Sequence, residues 1–398
     1  MISKTFAFAT TLLLGVISDS IALAQVGGPD DPTTDGRAGS QIIQTGVPFL
    51  LIAPDARSGA MGDAGVAISV DANATHWNPS KLAFVENNTS VALSYTPWLQ
   101  KLVPDINLAY LSAFHRLDDR NVIGGSIRYF SLGQIQLTDI YGQNTGTYDP
   151  NEFAIDGTYA RKFGDKFSLG TSLRFIYSKL SNGQFQQGQD IHAGTALAVD
   201  AAAYYKNETQ LFGKDSRISA GLNISNIGNK ISYVDNGAKV YLPTNLKLGG
   251  ATTFFIDDFN EFTVTLDLNK LLVPSPPVYA VDANGQIYIE SGRDPSELSV
   301  PAAIFGSFSD APGGFSEEMQ EISYSTGLEY WYNKQFALRA GYFYENPNKG
   351  DRQYFTLGAG LKYNIFDLDF AYLIGSQDKS PLANTLRFSL VFNFVPKK

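Results

Sequence analysis

The sequence of 398 residues contains no cysteine. Disulfide bonds, thiolate zinc sites, cysteine nucleophiles and a lipid anchor on an N-terminal cysteine are therefore excluded. Charge is also scarce, because only 17% of the residues are charged, against about 25% in typical soluble domains. This low charge accompanies a mean hydropathy of only −0.10, a combination that is typical of neither a disordered chain nor an ordinary soluble domain.

Long apolar runs and basic clusters are missing as well. The longest apolar stretch, residues 6–17, contains two threonines, whereas a membrane-spanning helix needs about 20 consecutive apolar residues. The chain has 30 Lys and Arg against 39 Asp and Glu, a formal charge of −9. Because nucleic-acid binding needs clustered Lys and Arg, both a helical membrane protein and a nucleic-acid partner are excluded.

The N-terminus is typical of an exported protein. Lys4 precedes the apolar stretch, and Ala22-Leu23-Ala24 forms a small-residue cleavage pattern before Gln25. This order predicts a secretory signal peptide over residues 1–24; the alternative is a buried N-terminal helix. Residues 25–40 carry almost no large apolar side chain and are predicted to form a flexible periplasmic tail.

From about residue 88 onward, apolar and polar residues alternate with a period of two. In the last such segment, Phe388, Leu390 and Phe392 alternate with Ser389 and Asn393. Segments of about ten residues with this pattern are typical of strands in a membrane β-barrel. The predicted strands are 89–97, 106–117, 121–132, 151–163, 166–179, 194–206, 216–227, 244–256, 260–269, 322–333, 335–345, 353–364, 366–376 and 384–394.

Connections alternate in length along this series. Those after even-numbered strands are mostly tight polar turns, such as Gly164-Asp165 and Asn333-Lys334, whereas the connection over residues 270–321 is very long. Short periplasmic turns and long extracellular loops are typical of bacterial outer-membrane barrels. Because lipid leaves no partner for an open sheet edge, the sequence predicts an all-β, closed, 14-stranded antiparallel barrel over residues 88–398 with both termini in the periplasm. A soluble β-sandwich is the alternative.

Residues 41–87 do not alternate in this way, and glycines recur at Gly59, Gly62 and Gly65. A barrel of this size needs its lumen filled, and glycine lets main chain approach a wall closely. We therefore predict an N-terminal hatch inside the barrel. A phosphate-binding loop is the alternative, but no Gly-Lys-Ser/Thr or βαβ pattern accompanies it.

The run from Pro48 to Phe84 resembles the N-terminal signature of the PorV/PorQ family, outer-membrane components of type IX secretion in Bacteroidota that share the fold of the FadL fatty-acid transporters. Asn78-Pro79-Ser80 stands where Asn-Pro-Ala is commoner. The matching hatch residues are Arg57, Gly59, Met61, Gly62, Asp63, Gly65, Asn78 and Pro79. The resemblance covers nearly the whole mature chain.

Catalytic patterns are absent from the sequence. His76, His115 and His192 are scattered without metal-ligand spacing, and no G-x-S-x-G motif occurs. We predict no catalytic residue, metal or cofactor, and read these histidines as surface or hydrogen-bonded groups.

The alternation directs a set of charged side chains into the lumen. Both signs occur on neighbouring strands, which predicts pairing across the barrel or with the hatch; the alternative is a charged permeation path, where a single sign is more typical. The lumen charges are Arg128, Asp156, Arg174, Asp267, Glu329, Arg339, Lys362, Asp367, Asp369 and Arg387.

The long connection over residues 270–321 is the strongest candidate for partner binding. It is rich in proline, which lowers the entropy lost on ordering, and in aromatic residues, which supply binding hot spots; a floppy surface loop is the alternative. Trp98 could instead be an interfacial anchor. The candidate contact residues are Trp98, Leu99, Val278, Tyr279, Phe305 and Phe308.

The family resemblance implies a non-enzymatic role in protein export. It implies association with a SprA-type translocon barrel, binding of cargo through C-terminal signal domains, and delivery to an attachment complex that contains a PorU-type sortase. The alternatives are a FadL-like transporter of hydrophobic small molecules, with an apolar pocket behind residues 48–52, and a general porin.

Overall fold

The period-two segments form one closed barrel in the computed structural model, which describes residues 41–98, 105–139, 141–180, 191–235, 237–282, 284–375 and 384–394. The predicted signal peptide, the predicted tail and Leu99 lie outside the described residues. All fourteen predicted strands are present, and the first pairs with the last to close the wall. The predicted 14-stranded antiparallel barrel is confirmed.

The strands are numbered in chain order, and two small hairpins outside the wall add β4–β5 and β12–β13. The wall strands are β1 Thr89–Pro97, β2 Ile106–Arg116, β3 Asn121–Leu132, β6 Asn151–Phe163, β7 Phe167–Lys179, β8 Gly194–Leu211, β9 Lys214–Gly228, β10 Asn245–Phe255, β11 Asn260–Leu271, β14 Ser323–Tyr332, β15 Phe336–Tyr344, β16 Gln353–Tyr363, β17 Phe366–Gly375 and β18 Leu386–Phe394. The hairpins are β4 Ile135–Thr138 with β5 Asn144–Tyr148, and β12 Val278–Val281 with β13 Ile287–Ser291.

Alternation along each strand separates an apolar outer wall from a polar lumen. On β17, Phe366, Leu368 and Phe370 are exposed on the outside, whereas Asp369 between them is buried. Successive side chains of a strand point to opposite faces, so one sequence supplies both a lipid-facing surface and a lumen. No helix among the residues that the structure describes has the length and apolar character to cross a membrane.

The connections segregate by length, as predicted. Tight turns join the strands at one end, the short-turn end, and the long connections lie at the other, the long-loop end. One strand pair is longer than the predicted strands 194–206 and 216–227, because β8 and β9 continue to a two-residue turn at Phe212-Gly213. Polar residues in this extension hid the strand pattern.

Residues 41–87 fill the lumen as short helical turns, and we call them the hatch. These are 3-10 helices over Pro48–Leu51 and Pro79–Phe84 and two α-helical turns, α1 over Ala56–Gly59 and α2 over Ala74–Trp77. The hatch enters at the long-loop end, where the Gly46 N–H donates to the Tyr241 carbonyl at 2.8 Å. It leaves at the short-turn end, where Thr89 pairs with Phe394.

The described chain begins and ends at opposite ends of the barrel. Its last residue lies at the short-turn end, whereas Ile43 packs against Val273 and Ala303 of the long connection. The hatch therefore threads the whole barrel. Contacts between the two ends of the hatch and opposite ends of the wall define this direction, and no local pattern in the sequence encodes it. The two termini, whose predicted location is the periplasm, lie outside the described residues.

The long connection between β11 and β14, residues 272–322, has secondary structure of its own. It contains the β12–β13 hairpin and two short helices, α3 over Val300–Gly306 and α4 over Phe315–Gln320. The Ser299 side chain caps α3 by accepting from the Ala302 N–H. We call this segment the platform, because it is folded against the long-loop end.

Candidate functional site

Arg57 is the central contact between hatch and wall. Its Nε and Nη2 donate to the two carboxylate oxygens of Glu329 at 2.9 and 2.8 Å, and its Nη1 contacts Asp71 at 3.0 Å. Glu329 also accepts from Arg339, which continues to Asp369 at 2.7 Å. Each of these charges thus contacts at least one charge of opposite sign, which offsets part of the cost of burying it.

A second ion pair joins Asp63 to Arg387 at 2.6 Å. The other oxygen of Asp63 accepts from the Tyr354 hydroxyl at 2.7 Å. Gly59 lies directly over Arg387, and a Cβ there would stand 2.3 Å from the guanidinium Nη1. Glycine at this position therefore lets α1 lie on the arginine side chain.

Asp267 receives the hatch main chain. One carboxylate oxygen accepts from the N–H groups of Gly65 and Val66 at 2.7 and 2.9 Å. The Gly65 carbonyl accepts from the buried Lys81 Nζ at 2.6 Å. Lys81 was not among the predicted site residues, because a single lysine in a polar segment gives no sequence signal of burial.

Asn78 ties two hatch turns to the wall. Its Nδ2 donates to the carbonyls of Val66 and Ala203, and its Oδ1 accepts from the Ser80 N–H at 3.1 Å. Pro79 begins the following 3-10 helix, where its missing N–H costs nothing. The Asn-Pro pair is therefore a structural corner of the hatch.

The predicted close approach of hatch and wall is found at the second of the three glycines, Gly62, and at Met61. Gly62 adopts φ +69° and its N–H donates to Thr356 at 2.9 Å. A Cβ on the wall residue Gly341 would lie 2.0 Å from the Gly62 nitrogen, and one on Gly327 would lie 2.6 Å from the Met61 Cβ. The wall glycines Gly327 and Gly341 therefore leave the space that Met61 and Gly62 of the hatch occupy.

A third charge cluster lies on the opposite side of the lumen. Arg174 contacts Asp156 at 2.5 Å and Asp200 at 2.9 Å, and it also contacts Asn226. Asp200 is fully buried and was missed, although it alternates with apolar neighbours on β8 as the predicted lumen charges do. Arg128 holds the hatch from the same side through the Leu50 carbonyl at 2.8 Å.

Most of the ten predicted lumen charges are thus buried partners of the hatch or of one another. Two lie nearer the rim. Lys362 has a side chain that is 45% exposed and stands 3.7 Å from Asp367, which accepts from Asn393 at 2.9 Å. Both residues flank the tight turn between β16 and β17. Their side chains are on the lumen side of the strands, but this end of the barrel is open to solvent.

An apolar layer lies between these charges and the long-loop end of the barrel. Phe49 and Leu50 of the hatch pack with Ile106, Phe130 and Ile176 of the wall. Trp98 is half-buried and packs against this layer. Trp98 is therefore part of the packing at the long-loop end rather than a free contact residue.

Four buried charges and the half-buried Glu317 anchor the platform to the barrel. Lys270 contacts Glu318 at 2.9 Å and Glu321 at 2.6 Å, and Lys349 contacts Glu321 at 3.0 Å and Glu317 at 2.5 Å. Ser275 adds a hydrogen bond to Glu321 at 2.6 Å. Sequence reasoning missed this cluster because its members come from three separate segments.

A cleft of about 520 Å³ opens beside the anchor, lined among others by Gln41, Val278 and Lys349. Nearby, burial raises the pKa of the Asp310 carboxyl, and a hydrogen bond from Ser275 opposes that shift.

The platform presents aromatic side chains to solvent. Phe305 is 79% exposed, Phe308 is 51% exposed, and Phe315, which was not predicted, is 79% exposed. Val278 and Tyr279 lie half-buried on β12. Of the predicted contact residues that the structure describes, Phe305 and Phe308 are thus the freely accessible ones.

The three histidines occupy unrelated places. His76 Nδ1 contacts Arg128 at 2.6 Å, His115 contacts Thr89 at 2.8 Å, and His192 lies 3.3 Å from Asp235. Across the described ranges, no three His, Asp or Glu side chains are grouped as metal ligands.

These features define an outer-membrane β-barrel whose lumen is filled by its own N-terminal segment. The family model described as type IX secretion system protein PorV matches residues 35–278. The chain belongs to the PorV family, as its hatch residues indicated. No curated protein matches the chain.

Solved structures similar to this chain include three bacterial barrels. The Ralstonia pickettii toluene transporter TbuX is 13% identical with a TM-score of 0.48, covering 87% of this chain and 100% of its own. The Pseudomonas putida toluene transporter TodX is 12% identical with a TM-score of 0.49, covering 86% and 99%. A Pseudomonas aeruginosa FadL homologue is 11% identical with a TM-score of 0.44, covering 86% and 99%.

Proposed function

We propose that this protein is a non-enzymatic shuttle of type IX secretion. In this proposal it associates with a SprA-type translocon barrel, binds the C-terminal signal domains of cargo proteins, and passes the cargo to an attachment complex with a PorU-type sortase. The short-turn end faces the periplasm and the long-loop end faces the cell exterior, following the loop lengths of outer-membrane barrels.

The observation that carries the proposal is a folded platform with solvent-exposed aromatic rings. Phe305 and Phe308 stand on or beside α3, and the buried Lys270–Glu321 pair holds the platform in place. Large rigid aromatic side chains are enriched among binding hot spots, and a preordered platform lowers the entropy lost on binding. Membership of the PorV family supplies the context of protein export.

A transporter of hydrophobic small molecules receives less support. Such a protein needs a path through the hatch and an opening in the wall. In the described wall strands, pairing is continuous between neighbours apart from one register shift on β8 beside Asp200. Residues 48–52 pack against an apolar layer of the wall.

The test is a double substitution on the platform, F305S/F308S, in a host that secretes through this system. We expect loss of cargo secretion and of co-purification with the translocon barrel, while the folded barrel still reaches the membrane. The matched control is Y141S, which removes an 80% exposed aromatic ring from the β4–β5 hairpin at the same end. Normal secretion by F305S/F308S would overturn the assignment of the platform.

A further inference from the structure

The β8–β9 hairpin overhangs its neighbour at the short-turn end. The ladder between β7 and β8 ends where Phe167 pairs with Tyr205, and the Lys206 N–H then donates to the Lys166 carbonyl at 2.8 Å. Strand β8 nevertheless continues to Leu211, paired only with β9. At the other tight turns, the ends of neighbouring hairpins lie side by side. Asn121 at the start of β3, for instance, pairs with Arg161 close to the end of β6.

The overhang, residues 206–211, leaves main-chain groups without a strand beside them. Along an antiparallel strand, hydrogen-bonding groups point alternately to one neighbour and the other. The Lys206 N–H points toward β7, so those of Glu208 and Gln210 point the same way, beyond the end of β7. An edge of this kind is a template for an additional strand.

The tip of the hairpin carries an apolar ring in a strained position. Phe212 has φ +53° and Gly213 has φ +75°, a geometry in which Asn-Gly is the favoured pair. The Phe212 side chain is 94% exposed, with the Phe254 ring centroid 6.4 Å away. A bulky residue there costs both conformational strain and apolar exposure, which points to a contact that the isolated chain does not contain.

Unpaired ammonium groups surround the foot of the overhang. The Lys206 and Lys162 ammonium groups face the Phe84 ring at 4.7 and 5.9 Å, and Lys166 is adjacent. Within the part of the chain that the structure describes, no carboxylate lies within ion-pair distance of these three lysines. Glu86 and Glu208 act on Lys206 only at longer range, and Glu208 is itself paired with Arg217 on β9 at 2.6 Å. In a chain of net charge −9, this corner is complementary to a carboxylate.

We propose that the overhang binds an extended acidic segment of a partner protein, which adds as a strand along Glu208 and Gln210. The lysines at its foot pair with carboxylates of that segment, and Phe212 supplies an apolar anchor. This site is at the opposite end of the barrel from the platform and does not depend on the proposed secretion role.

The test uses the full-length protein in nanodiscs and a fluorescein-labelled peptide of alternating valine and glutamate. We expect binding by fluorescence polarisation that is about tenfold tighter than for the same peptide with lysine in place of glutamate. Q210P removes an outward N–H that β9 does not use, and we expect it to weaken binding about tenfold. The matched control Q210A keeps the N–H and should bind as the wild type does.

Wild-type binding by Q210P, equal binding of the lysine peptide, or no binding of the glutamate peptide would each overturn the proposal. F212N restores the favoured Asn-Gly turn and should weaken peptide binding without lowering thermal stability. If F212N binds normally, and the added fluorescence of F212W is quenched by brominated lipids, Phe212 is a membrane anchor and its assigned role is wrong.

Discussion

Arg57 in the hatch and Glu329 on β14 form a buried bidentate ion pair, with N–O distances of 2.9 and 2.8 Å. The two residues are far apart in sequence, and both side chains are almost fully buried. A buried charge that loses its partner destabilises the folded state. Displacing the hatch would therefore lower the stability of the barrel.

Removing the arginine is expected to destabilise the folded barrel. R57M leaves Glu329 with Arg339 alone and should lower the free energy of unfolding by about 3 kcal/mol, measured by urea denaturation in detergent. The control is R120M, at an exposed arginine in the turn between β2 and β3, where we expect a change within about 0.5 kcal/mol. Equal stability of R57M and R120M would show that the pair does not hold the hatch.

A single methyl group on the wall is expected to displace the hatch. The Cβ of G341A would lie 2.0 Å from the Gly62 nitrogen, and main chain cannot move aside as a flexible side chain does. Since the chain lacks cysteine, M61C places one thiol at a fully buried site. We expect rapid maleimide labelling in G341A/M61C and protection in M61C alone.

The matched control for this substitution is G250A/M61C. Gly250 is also a wall glycine, but a Cβ there meets nothing within 4 Å. It should stay protected; labelling of both double variants would mean that any added wall methyl loosens the hatch.

The filled lumen is expected to block ions. In planar bilayers the wild type should show conductance near zero, because the hatch threads the barrel and mixed charges pair within it. Deletion of residues 41–87 should open a pore of high conductance, provided that circular dichroism shows an intact barrel. Large wild-type currents would instead favour the porin alternative.

The platform is expected to detach when its buried anchor is broken. K270M leaves Glu318 and Glu321 without this partner and should make residues 272–322 sensitive to proteinase K while the barrel remains resistant. K334M removes a lysine that is 75% exposed and 3.4 Å from Glu261, and such surface pairs contribute little. Proteinase K resistance of the K270M platform would show that other contacts anchor it.

Strand positions could be predicted closely from the sequence because the barrel wall imposes one local rule. Each strand faces lipid on one side and the lumen on the other, so Phe388 and Ser389 report their faces directly through alternation. The rule fails at residues 206–211, where the strand leaves the membrane and polar residues cover both faces. A lumen-facing side chain is also less buried near the rim of the barrel, as the exposed Lys362 shows.

The sequence by itself determined the wall, its number of strands, its closure and the hatch as a separate segment, because alternation and glycine spacing are local properties. Only the tertiary structure decided the partners: Arg57 with Glu329, Asp63 with Arg387, and Lys270 with Glu321. It also decided that the hatch enters from the long-loop end. These pairings join distant segments that meet only after the barrel closes, and a lumen-facing charge of either sign satisfies the same local pattern.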